Sequence, residues 1–129
     1  KLAAWLAGHF DSIRVVIVSG SGKTFSAGDD ITDLEPTNFE AAQSLSRRRG
    51  QLFDRLTRLP QVFIAATNGP ALGGGFVLAC SCDLRIAAHN ATFGLPEVKL
   101  GWPPNYGLVR VVSIIGKSRA MQRAADGQG

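Results

Sequence analysis

Two short and nearly unbroken apolar runs, RVVIVSG from Arg14 and QVFIAAT from Gln61, constrain this chain more than any other feature. Each is rich in β-branched residues, too short for a helix, and apolar at successive positions, so both faces of the strand it forms must be covered. Each then runs into a loop containing glycine, and each loop leads toward a helical pattern. The first pattern spans about Asn38 to Arg58, with Leu45, Leu52, Leu56 and Leu59 as its apolar face and Pro60 as its stop. The second is GGGFVLACS. DLRIAA reads as a third strand, HNATFGLPEVKLGWPPNYG as a loop, and LVRVVSIIG and KSRAMQRAA as two closing helices. Upstream, Leu2, Trp5, Leu6 and Phe10 recur at helical spacing. Alternating strand, loop and helix units indicate an α/β fold around a largely buried sheet. There is no internal repeat and no linker, so residues 1–129 read as a single domain.

Composition narrows the functional classes only a little. Apolar residues make up 45% of the 129 and charged residues 19%, which describes an ordinary globular chain. A net charge of +4 favours anionic ligands such as phosphates and would also suit nucleic acid. The sole dense charge run, Arg47 to Arg49, lies inside the long helical pattern and reads first as a solvated face, with phosphate or RNA contact as the alternatives. Nucleic acid is the weaker partner class. Cys80 and Cys82 are too close together to staple a scaffold and read as buried free thiols in a reducing, cytoplasmic compartment. No apolar run is long enough for a membrane span, and the opening KLAAWLAGHFDSIR does not read as a signal peptide. His9 and His89 lack partners at ligand spacing, and no metal cluster is evident.

The chemistry resides in two glycine loops, FSAGDD and LGGG, each after an apolar strand. Backbone N–H groups at such places point outward and carry partial positive charge, so they suit a negative oxygen. GSGK at 20–23 invites a phosphate-loop reading but lacks the upstream glycine at the required spacing and the Ser or Thr that opens a helix.

TFSAGDDI, ATNGPALGGGFVLACSCDLRIAA and ATFGLPEVKLGWPPNYG, in that order and with these separations, resemble the crotonase family, the enoyl-CoA hydratase and isomerase superfamily. The likeness runs from about Leu2 to Met121. It implies a crotonase-like spiral of β-β-α units that binds an acyl-CoA thioester and stabilises its enolate in an oxyanion hole. Carried over by motif, one oxyanion donor is the backbone N–H of Asp29 and the other that of Gly74. Fixed amides aimed at a developing oxyanion need little reorganisation, and losing one raises the barrier by about 3–4 kcal/mol. Ala27, Gly28, Asp30 and Gly73 then flank the substrate. The Asp29 carboxylate should point away from a developing negative charge, and Asp30 should act as a cap or loop brace.

The family's two catalytic carboxylates fall on Glu97, in FGLPE, and on Val77. Hydration uses one carboxylate to activate water and another to orient it, whereas a 1,3-proton shift needs a single base. An apolar Val77 beside the substrate would form a dry wall and raise the Glu97 pKa. Asn105 stands near the position where dehalogenase-like members carry a nucleophilic aspartate, work an amide cannot do. Asn105, Tyr106 and Trp102 are instead candidates for the acyl pocket.

The resemblance further implies a short member, partial relative to the family and lacking the usual C-terminal helical region that closes over the acyl group and builds trimers or hexamers. A natural short homologue, a truncated gene and a proteolytic remnant all fit. It implies no cofactor beyond the coenzyme A of the substrate. The main alternative is a non-catalytic crotonase-like scaffold that keeps the fold and has lost the chemistry.

Overall fold

The computed structural model describes residues 1–30, 39–100 and 106–126. Trp102 and Asn105 therefore lie outside the described residues. The strands β1 (Val15–Ser19), β2 (Val62–Thr67) and β4 (Leu84–Ala87) form a parallel sheet in the order β1-β2-β4, with Val15 opposite Val62 and Ile64 opposite Leu84. A second, smaller parallel pair joins β3 (Ala71–Leu72) to β5 (Phe93–Gly94), and Ser26 extends it by bridging to Ala71. Helices α1 (Leu2–Ala7), α2 (Phe39–Thr57), α3 (Gly74–Ser81), α4 (Leu108–Ile115) and α5 (Lys117–Asp126) complete the chain, together with a 3-10 turn at Pro96–Leu100. Strand, short strand and helix thus follow one another around the spiral that the motifs imply.

The short strands and the 3-10 turn are what the sequence reading left inside loops. Two-residue strands show no period, and their pairing depends on segments far apart in the chain. The Ala71 N–H donates to Thr92 O at 2.8 Å, Leu72 to Ser26 O at 2.9 Å and Gly73 to Gly94 O at 2.9 Å. Three distant motifs are laced together by these bonds.

Helix α3 is apolar on every side, as a fully enclosed helix must be. Phe76, Val77, Ala79, Cys80 and Ser81 are all buried. Its last turn is closed by Arg85, which donates to Cys82 O at 2.6 Å. Among the described residues of α2 Phe53 is buried and Leu45 and Leu56 are half-buried, as is Leu59 just beyond the helix, while Leu52 is half exposed and not part of the inner face as its spacing suggested. The expected buried sheet is covered on one face only: Phe63, Ala65 and Thr67 point into the core, whereas Val15, Ile17, Leu84 and Ile86 on the other face are exposed.

Asn68 holds the turn after β2 to the loop after β1. Its side-chain oxygen accepts from Gly20 N–H at 2.9 Å, and its amide donates to Gly22 O at 2.9 Å. Asn68→Ala should therefore lower stability by about 1–3 kcal/mol, because both loop groups lose their partner; chemical denaturation of the two proteins measures it, and an unchanged midpoint would contradict this role.

Candidate active site

The two glycine loops meet at a distance that no side chain would permit. Gly28 has φ of +92°, in the left-handed region, and a Cβ placed there would lie 2.8 Å from Leu72 O and 3.3 Å from Gly74 N. A Cβ on Gly75 would lie 2.5 Å from that of Ser26. Glycine at both positions lets FSAGDD lie directly on LGGG. Gly73, with φ of +53°, turns the chain from β3 into α3. The first intrahelical bond of α3 runs from Val77 N–H to Gly73 O, so the N–H groups of Gly74, Gly75 and Phe76 precede the helical ladder. Among these Gly74 is the partly exposed one and borders the contact with Gly28.

Glu97 reaches the same place from the 3-10 turn. Its Oε1 and Cδ stand 2.8 and 3.3 Å from where a Gly73 Cβ would be, so the carboxyl group rests on the bare α-carbon of that glycine. Its other oxygen, Oε2, is buried and has no hydrogen-bond partner among the described residues. Burial raises the Glu97 pKa above the usual carboxylate range, and the nearby Asp29 charge raises it further, against a lowering by a backbone hydrogen bond. Oε2 is therefore a buried acceptor with no donor among the described residues, on a carboxyl group held toward its protonated form, and such groups cluster at functional sites.

On the other side of Gly74 stand Tyr106 and Asp29. The Tyr106 hydroxyl would lie 2.7 Å from a Gly74 Cβ and donates a short hydrogen bond to Asp29 Oδ2. The same oxygen pairs with Arg49 Nη1 at 3.1 Å. Burial and the bond to Asp29 both raise the Tyr106 pKa, so the phenol stays protonated. The Asp29 carboxylate, expected to point away from a developing oxyanion, turns its Oδ2 to Tyr106 and Arg49. Its Oδ1 stands 3.7 Å from the Gly74 Cβ position, held by a phenol and a guanidinium.

Val77 also differs from expectation. It is 2% exposed and its methyl carbons lie where a Gly107 Cβ would be, 2.1 Å from Cγ1, so it packs beneath the Tyr106–Gly107 turn and forms part of the core. Gly107 adopts φ of +78°, and Phe53 stacks on Tyr106 with ring centroids 5.8 Å apart. Ala27 and Asp30 are exposed on the loop rim. Cys80 and Cys82 are buried free thiols whose pKa values burial pushes up to about 11, which keeps them unreactive. No group of three potential metal ligands occurs among the described residues, and no helix there is long and apolar enough to cross a membrane.

Arg49 is the residue that sequence reasoning missed. The signal was its spacing: Leu45, Arg49, Phe53 and Leu56 share one helical face, so Arg49 interrupts the apolar stripe and does not belong with its solvated neighbours Arg47 and Arg48.

With the geometry set out, comparison with known proteins gives the class. The sequence matches the enoyl-CoA hydratase/isomerase family over residues 6–128. The chain belongs to that family. It is 40% identical over 118 residues to a probable enoyl-CoA hydratase of Bacillus subtilis, covering 90% of this chain and 46% of that protein. It is 39% identical over 118 residues to the 2,3-dehydroadipyl-CoA hydratase of Escherichia coli, covering 91% and 46%. Among solved structures, Pseudomonas aeruginosa DspI superposes with a TM-score of 0.85 at 34% identity, covering 95% of this chain and 49% of that one. The chain spans about half the length of the relatives it matches.

The raised pKa of Glu97 has a measurable consequence. Folding disfavours its ionised form, so the penalty is absent below the unfolded carboxyl pKa, about 4.3, and complete once pH exceeds the raised folded value. Glu97→Gln should therefore raise the unfolding midpoint at neutral pH, with the gain vanishing below about pH 4. A gain that persists or grows in acid would refute the assignment.

Proposed function

We propose that this protein is an acyl-CoA enzyme that stabilises a thioester enolate between the backbone N–H groups of Asp29 and Gly74, with Glu97 as its single acid-base residue. The observation that carries this reading is the Glu97 carboxyl group resting on Gly73 with its Oε2 unpartnered among the described residues, next to the helix-start amide of Gly74. As a proton leaves the carbon beside the thioester carbonyl, negative charge moves to the carbonyl oxygen. Two fixed amides meet it there, and the proton passes to Glu97.

Double-bond migration is the first choice of reaction. Returning the same proton two carbons away needs no second carboxylate, and α3 supplies none, since Val77 lies in the core. Water addition to a 2-enoyl thioester is the second, favoured by the hydratase names of the relatives in Bacillus subtilis and Escherichia coli. Coenzyme A enters as part of the substrate and the chemistry calls for no other cofactor. Partly exposed Gly28 and Gly74 border the space a thioester would enter, with buried Gly73 beneath Glu97 and with Ala27 and Asp30 at the rim. A trimeric or hexameric assembly belongs to the same proposal.

But-3-enoyl-CoA and crotonyl-CoA separate the two reactions, the first reporting isomerisation and the second hydration. Turnover of at least one is expected, and Glu97→Gln should lower kcat about 10²–10⁴-fold. Binding of both thioesters with no turnover of either would instead mark a non-catalytic scaffold.

A further inference from the structure

The Asp29 carboxylate poses a problem for the proposed chemistry, on which this inference rests. It belongs to the residue whose backbone N–H serves the oxyanion, and its Oδ1 stands 3.7 Å from the Gly74 Cβ position. A bare negative charge so near a developing oxyanion opposes the reaction, and the low dielectric of a half-buried site strengthens the opposition. It also works against ionisation of Glu97, whose pKa it raises.

Two groups answer that charge. Arg49 comes from the middle of α2, its side chain only 21% exposed, and pairs with Asp29 Oδ2 at 3.1 Å. Tyr106 donates to the same oxygen from the turn before α4. The guanidinium also lies 5.8 Å from the centroid of the Tyr106 ring, which stacks on Phe53. Both donors converge on Oδ2, so they draw the negative charge toward α2 and leave the pair neutral. We infer that Arg49, assisted by Tyr106, is a positioning residue that neutralises the Asp29 carboxylate and holds it off the reacting atoms, so that Asp29 presents only its backbone N–H to the substrate.

This assigns a specific task to one arginine of the run at 47–49, and the task is electrostatic, so it disappears with the charge it answers. A merely structural arginine would matter equally whether or not residue 29 were charged.

The test is a double-substitution cycle on the complete protein, with kcat and KM measured on whichever of but-3-enoyl-CoA and crotonyl-CoA the wild type turns over. Arg49→Gln should lower kcat about tenfold or more while KM changes by less than about twofold. In an Asp29→Asn background, which keeps the backbone N–H, the same substitution should change kcat by less than about twofold. Equal losses in both backgrounds overturn the inference. Tyr106→Phe run through the same cycle gives an independent reading if Arg49→Gln does not fold, with a smaller loss that Asp29→Asn also removes; a loss unaffected by Asp29→Asn counts against it. Activity that depends on Glu97 with no coupling between positions 49 and 29 sinks this inference alone. A Glu97→Gln variant as fast as wild type sinks the functional reading and takes this inference with it.

Discussion

Everything in this site depends on two backbone segments touching where side chains would hold them apart. Gly28 and the run Gly73–Gly75 allow the loop after β1 to lie on the start of α3, and a single added carbon at Gly28 or Gly75 would collide with backbone or with Ser26. Hydrogen bonds of the small sheet then fix the contact: Ser26, Ala71–Leu72 and Phe93–Gly94 run side by side, each from a different part of the chain. The larger sheet positions these segments. Its ends deliver the loops, which matches the general placement of functional groups on connections carried by a rigid frame.

Charge is distributed around this contact in a definite order. Glu97 sits on Gly73 on one side, partly buried and held toward its neutral form. Asp29 sits by Gly74 on the other, paired with a guanidinium and a phenol. Two carboxyl groups in one small site are thus given opposite environments, one desolvated with an oxygen lacking a donor among the described residues, the other with two donors on a single oxygen. Environments that push two acids apart are how a site separates a proton-transfer group from a supporting one.

Much of this could be read from the sequence. The apolar runs at 14–20 and 61–67 gave the parallel strands, and the glycine loops marked where backbone approaches backbone, because strand periodicity and glycine conformation are local properties. Glu97 was legible only through the spacing of its motif, since nothing local distinguishes it from an exposed loop acid. The β3–β5 pair was not legible, because strands of two residues exist only by pairing across distance. The partners of the Asp29 carboxylate were not legible for a related reason: Arg49 and Tyr106 lie twenty and seventy-seven positions away along the chain. The burial of Val77 was not legible either, because the bare α-carbon of Gly107, thirty positions away along the chain, comes down on top of it.

That last contact also limits which variants this fold can reach. Val77 and Gly107 are matched as lock to recess: the valine methyl groups occupy the volume that any side chain at 107 would need. A carboxylate introduced at 77 would lose its favourable solvation inside the Phe53 and Phe76 cluster unless the turn above it moved as well. A second acid on α3 therefore calls for a change in the turn at Gly107 as well as at position 77.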